Sequence, residues 1–207
     1  MTKFLFVQKI KSVFPCKRFV KDNSALAMME FALLLPLLLT LGLGGFEVAR
    51  FALLMQKLDR ITATFSDLIA REESLSVAEL DNLFDATNFL AAPFDFNANG
   101  MIVVTSVEGR DGQAPLVIGQ RSQGNITGGV SQVGIDGGSA TLPAVFTSAG
   151  GQTLEEDEGL IITEIFFDYQ PYIAGEGSFL GMNLFSGSLI YQDSFFRPRL
   201  SDRITFD

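Results

Sequence analysis

"NSALAMMEFALLLPLLLTLGLGGF", residues 23 to 46, is a run of Leu, Ala, Met and Phe in which Glu30 is the single charged side chain. Counted from Leu26, the run is 21 residues long, and at 1.5 Å per residue a helix of that length crosses a hydrocarbon core of roughly 30 Å. Pro36 is compatible with such a helix, because membrane spans tolerate proline where packing and local adjustment compensate for the lost bond. The flank decides between a span and a buried helix of a soluble core. Residues 1 to 25 carry Lys3, Lys9, Lys11, Lys17, Arg18 and Lys21 against Asp22 alone, a net of 6 − 1 = +5, and a soluble core helix has no use for such a flank. The excess of basic residues places 1–25 in the cytoplasm and everything after about Glu47 on the far side of the membrane. A secretory signal has the same order of parts, but here the basic arm and the apolar run both exceed its usual size.

The helical pattern does not stop at the end of the run. Phe51, Leu54, Leu58, Ile61, Phe65 and Leu68 are spaced 3, 4, 3, 4, 3, a heptad seam that continues through charged positions such as Lys57, Asp59 and Arg60. One helix over 26–72 is expected, membrane-spanning over about 26–46, with the seam facing another helix or the chain's own sheet.

The remaining chain is acidic. From Phe51 onward 8 basic residues stand against 21 acidic ones, a net of −13. Such a body repels phosphate, so no nucleic-acid partner is expected. The chain has no His, and Cys16 is its one cysteine. The commonest general base, the usual transition-metal ligand, thiolate cages and intramolecular disulfides are therefore all excluded. No spacing supports carboxylate or lysine catalysis either, so neither an enzymatic activity nor a cofactor is expected.

Residues 75–207 are read as a periplasmic α+β domain. Ser76 and Glu79 in "LSVAEL" (75–80) are spaced as a capping box. They start a helix from Val77 to about Ala91, with Leu80, Leu83 and Phe84 on its buried side, Leu90 as a candidate fourth, and Pro93 beyond its end. Strands are predicted at 101–107, 115–121, 159–170 and 188–196, forming an antiparallel sheet packed on the long helix. Between Gly109 and Gly151 lie 11 glycines, read as a loop or irregular edge strand. No glycine fingerprint for phosphate precedes a helix there. "NIT" (125–127) is a three-letter match to a glycosylation acceptor and decides nothing. "EEDE" (155–158) reads as a solvated acidic turn in preference to a calcium loop. "GLGG" (42–45) permits close helix approach, and Glu47 with Arg50 forms a pair on one helix face.

Glu30 remains to be explained. A carboxylate inside a span costs roughly 2.5 to 3.5 kcal/mol at the helix centre and less toward the interface, so it persists best with a partner. "DNSALAMMEFALLLPLLL" (22–39) resembles the processing region of type IV pilin-like proteins, in particular TadE-like pseudopilins of the tight-adherence (Flp) pilus system. "FFDYQPY" (166–172) and "FFRPRLSD" (195–202) look like the strand and C-terminal turn of the same proteins. The resemblance implies a basic leader removed by a prepilin peptidase between Ala25 and Leu26, with Ala25 standing where such proteins usually carry Gly. Glu30 would then be the fifth mature residue, followed by Phe31, and the new amine of Leu26 supplies its partner. It further implies a minor pilin-like subunit of the bacterial inner membrane and periplasm, with other pilin or pseudopilin subunits, the inner-membrane assembly machinery and membrane lipid as partners. The competing class is an unprocessed, single-span periplasmic binding module. A mere tether, however, needs neither a seam nor an embedded carboxylate at a fixed distance from a small residue.

Overall fold

The structure is a computed structural model that describes residues 23–124, 126–146, 154–172 and 187–206. Residues 1–22 with Cys16, which make up most of the expected leader, Asn125 of the "NIT" triplet and residues 147–151 of the glycine-rich stretch lie outside the described residues. Two compact units are distinguished, Met1–Phe46 and Glu47–Asp207.

Helix α1, Asn23–Ile69, is continuous over 47 residues with Pro36 inside it, and the Thr40 hydroxyl donates to the Pro36 carbonyl at 2.8 Å. It ends three residues short of the expected 72, where Arg71 and Glu72 donate to the Leu68 and Ile69 carbonyls in a tight turn. After strand β1 (Ser74–Leu75), helix α2 spans Val77–Ala91 behind the expected capping box. The Ser76 side chain accepts from the Glu79 amide, and the Glu79 carboxylate accepts the Ser76 amide at 2.9 Å. The hydrogen bonds that the carboxylate accepts from the Ser76 amide and the Ser76 hydroxyl hold the Glu79 carboxyl below its ordinary range. Asp95 caps the short helix α3, Phe96–Asn99.

Strands β2 (Gly100–Glu108), β3 (Leu116–Gln123), β4 (Gly159–Tyr169) and β5 (Ser188–Phe196) form one antiparallel sheet in the order β3-β2-β4-β5. β6 (Thr205–Phe206) pairs in parallel with β1. The fold is thus mixed α+β, a long apolar helix followed by a small antiparallel-sheet domain.

Alternation in the central strands sends two sets of side chains to opposite faces. Ile102, Val104, Ile161, Ile165, Phe167 and Tyr169 join the core with Leu54, Leu58, Ile61, Phe65 and Ile69 of α1 and Leu80 and Phe84 of α2. Leu90 of α2 is instead 46% exposed. The opposite face is also covered. Val107, Leu160 and Ile162 pack with Val117, Val133, Ala140 and Leu154, which is why β2 and β4 read as almost unbroken apolar runs.

The cover on that second face is the glycine-rich stretch. Its chain returns along the edge strand through Val117 N–H to Gly138 O at 2.9 Å and Ala140 N–H to Pro115 O at 2.7 Å. Its centre is tied to Glu164, a fully buried carboxylate that accepts the Ser131 hydroxyl, the Gln132 amide at 2.8 Å and the Tyr191 hydroxyl at 3.2 Å. Burial, with Glu164 and Asp193 nearby, pushes the Tyr191 phenol strongly up. Gly124 shows why glycine is needed at the start of the cover: its φ is +90°, and a Cβ there would lie 2.3 Å from the Gly100 carbonyl oxygen.

The predicted seam departs from the buried row at both ends. Leu54, Leu58, Ile61 and Phe65 are buried, whereas Phe51 is 38% and Leu68 42% exposed, and Ile69 is fully buried in place of Leu68. A heptad repeat suits a supercoiled helix pair. A straight helix laid on a sheet drifts about 20° per heptad against that repeat, so the row slips by one residue at its C-terminal end. Leu58→Ala should therefore cost about 2–5 kcal/mol through the cavity left behind, and Leu68→Ala less than about 0.5 kcal/mol. Urea unfolding of the full chain in detergent, followed by near-UV circular dichroism, separates these outcomes; equal costs would place Leu68 in the core.

Candidate functional site

The residues that the sequence singled out for processing and assembly lie on the first turns of α1. Ala25 and Leu26 fall within the helix, and Leu26, Glu30 and Phe31 are all exposed. Leu26 and Glu30 are four apart and therefore share one face of the helix. Glu30 has no hydrogen bond or ion pair within the described residues. From 26 to 46 every side chain is exposed except Thr40 and Gly44, which are half-buried, and a Cβ added at Gly42 or Gly45 would meet open space. This part of α1 is long and apolar enough to cross a membrane.

Glu47 marks an abrupt change. It is 1% exposed, and a buried carboxylate must be paired and hydrogen-bonded to persist. Its Oε1 accepts the Tyr169 hydroxyl and takes Arg50 Nη1 at 3.3 Å; its Oε2 accepts the Tyr172 amide at 3.2 Å. The Arg50 guanidinium also donates to the Gln170 carbonyl at 3.1 Å. Its central carbon sits 3.8 Å from the centroid of the Tyr172 ring and 5.2 Å from those of Tyr169 and Phe94, an aromatic cage for a cation. Phe51 meets the Tyr169 ring edge-on at 5.3 Å, so its partial exposure does not leave it idle.

The expected i,i+3 pair is therefore one part of a clasp that joins α1 to the end of β4. Tyr169, Gln170 and Tyr172 come from "FFDYQPY", a motif the sequence flagged only by resemblance. Burial pushes the Tyr169 phenol up to about 12, helped by the Glu47 carboxylate and partly opposed by Arg50. With the Glu47 charge met by one cation and two donors, the arrangement is a structural lock. It contains no free nucleophile.

The second motif, "FFRPRLSD", secures the other end of α1. Arg199 N–H donates to the Ala70 carbonyl at 2.8 Å, and its guanidinium reaches Asp67 at 2.8 Å. Arg197 pairs with Glu158, and Gly159 N–H donates to Asp202 O at 2.7 Å. In the "EEDE" turn, Glu158 is thus committed to Arg197 and also accepts the Glu155 amide at 3.0 Å. Among the described residues no group of three or more His, Cys, Asp or Glu side chains could hold a metal ion.

Residues 26–64 match the family model described as TadE-like protein. No curated protein and no solved structure matches the chain.

The raised Tyr169 phenol makes stability depend on pH on the alkaline side. A group whose pKa is raised by folding stabilises fully below its unfolded value, near 10.0, and loses that contribution as pH rises through about 12. Above it, a phenolate would face the Glu47 carboxylate. Unfolding measured from pH 8 to 12 should show a decline setting in above pH 10. Tyr169→Phe should flatten part of that decline and, by leaving Glu47 short of a donor, lower stability at pH 8 by about 1–3 kcal/mol. An unchanged profile would remove Tyr169 from the clasp.

Proposed function

We propose that the chain is a minor pilin-like subunit of a tight-adherence (Flp) pilus, made with a cytoplasmic basic leader that a prepilin peptidase removes between Ala25 and Leu26. The observation that carries this reading is the TadE-like match over 26–64. It begins at the expected first mature residue and runs through Glu30 and most of the α1 seam. The mature subunit stands in the inner membrane with its sheet domain in the periplasm, and it acts there in pilus assembly with other pilin or pseudopilin subunits.

The physical case rests on Glu30. Its carboxylate lies among exposed apolar side chains at the basic edge of the run and has no partner within the described residues, so an isolated copy in a bilayer pays for an uncompensated charge. Cleavage removes six basic side chains and creates one amine, on Leu26, four residues from Glu30. In a medium of low dielectric the two attract far more strongly than in water. An amine and a carboxylate offered by neighbouring subunits would select one register between two sliding helices.

Mass determination of the protein from cells that carry the peptidase should give a chain running from Leu26 to Asp207. An intact Met1 chain, or one beginning beyond residue 46, would overturn the processing step. Glu30→Gln should leave cleavage largely intact while lowering co-purification with pilin partners by about tenfold, the effect of losing an attraction of about 1.4 kcal/mol. Wild-type recovery and normal piliation of Glu30→Gln would reduce the carboxylate to a marker of the interface.

A further inference from the structure

Helices α1 and α2 leave a groove of about 550 Å³ between them, lined by Leu53, Gln56, Lys57, Arg60, Ile61, Thr64, Phe89 and Leu90. Phe89 is 81% exposed at its rim, with Leu53 at 42%. Leu53, Phe89 and Leu90 line the same groove and are all exposed, and contiguous exposed apolar surface, unlike a single exposed side chain, marks a contact site. The charge of the groove is also distinctive. The domain is strongly acidic, and Arg50, Arg71, Arg197, Arg199 and Arg203 are each paired with a carboxylate. Among the described residues Arg60, Lys57, Arg110 and Arg121 form no ion pair. Arg110 and Arg121 donate to backbone carbonyls at the sheet's edge, those of Ala114 and Gln120, whereas Lys57, whose ammonium reaches the Leu90 carbonyl at 3.1 Å, and Arg60 both line the groove. The groove is therefore apolar and cationic, and fits an apolar helix face that carries acid.

That complement lies on the chain itself. Asp81, Asp85 and Phe89 are spaced four apart on the exposed stripe of α2. Asp85 accepts a 3.1 Å hydrogen bond from Gln123 and forms no ion pair among the described residues. Lys57 meets Leu90, and the turn 70–76 joins the two helices, so positions equally far from that turn stand level. Asp85 is then about level with Thr62, and Phe89 with Leu58, which puts Asp85 of one copy within a side chain's reach of Arg60 of another.

We propose that two copies of this chain pair through this groove about a two-fold axis along α1, each inserting Phe89 into the other's groove and setting its Asp85 against the other's Arg60. This axis sets the groove segments of the two α1 helices parallel, and a two-fold contact repeats every interaction twice. Direct α1-to-α1 packing through the same face would set Lys57 and Arg60 against their own likenesses. Seating α2 in the groove replaces that repulsion with two ion pairs. The inference stands whether or not the leader is cleaved.

The test uses full-length chains carrying two different tags, co-expressed and recovered from detergent-solubilised membranes. One tag should recover the other. Phe89→Ala, at an exposed position that leaves the near-UV spectrum unchanged, should reduce that recovery by about tenfold, and Phe89→Leu much less. Arg60→Asp in both chains, or Asp85→Arg in both, should reduce it similarly by replacing two attractions with repulsions. An Arg60→Asp chain co-expressed with an Asp85→Arg chain should recover near the wild-type level, because only pairing in trans restores both contacts. The proposal is overturned if wild-type copies do not co-purify, or if recovery ignores Phe89→Ala. It is equally overturned if the mixed pair does no better than either reversal alone. Loss of a different helical protein on Phe89→Ala, with self-recovery unchanged, would give the groove to that protein instead.

Discussion

A straight helix returns to the same side every 11 residues, after three turns, and Glu47, Leu58 and Ile69 of α1 keep that spacing while all three are buried. The sheet is assembled against this one row. Leu54, Ile61 and Phe65 fill the turns between its members, and the inward residues of β2 and β4 close over them. Among the described residues nothing comparable faces the other side of α1, where Leu53, Gln56 and Arg60 stay accessible. The helix is thus amphipathic beyond Glu47 and apolar all round before it. That difference in pattern, at constant secondary structure, separates the part suited to lipid from the part suited to a sheet.

Apolar contact alone does not choose how far along the row the sheet sits. Burial is non-directional, and a seam of Leu, Ile and Phe spaced three and four apart offers similar partners after a slip of one turn. Polar pegs supply the direction. Near one end Glu47 is met by Tyr169, Arg50 and the Tyr172 amide. Near the other end Ser66 Oγ lies 2.7 Å from both Thr163 Oγ1 and Ser194 Oγ, with Ser66 and Thr163 fully buried. The pegs are 19 residues apart on the helix, about 28 Å along its axis. A slip of one turn strands the buried Glu47 carboxylate and the buried Ser66 and Thr163 hydroxyls, and each stranded group costs about 1–3 kcal/mol. The right register wins by that margin.

Much of this was legible from the sequence because the signals are local. The capping box of Ser76 and Glu79 is a spacing of three. The four main strands are apolar stretches bounded by turn residues, and the observed β2 to β5 lie within two residues of the expected limits. The seam was legible until the heptad assumption carried it to Leu68. The clasp was half legible: Glu47 and Arg50 neighbour each other on one helix, whereas Tyr169 lies 122 residues from Glu47. The β1–β6 pair was out of reach, since two residues a side carry no periodicity.

The glycine-rich stretch shows most plainly what composition conceals. Glycine, Ser and Gln with few large side chains read as loop, because such a segment cannot bury much apolar surface of its own. Here it borrows surface: Val133 and Ala140 cover apolar side chains supplied by β2, β3 and β4. It also borrows polarity. Glu164 is buried, has no ion pair among the described residues and lies directly opposite Asp193 on β5, an arrangement that costs free energy in a sheet face by itself. The Ser131 hydroxyl and the Gln132 amide turn that liability into an anchor, since both reach the carboxylate only when the cover is in place. The cover and the acid are each unfavourable alone, and they are stable together. A sequence read one segment at a time therefore sees a flexible loop and a misplaced charge where the folded chain has a single interlocked layer.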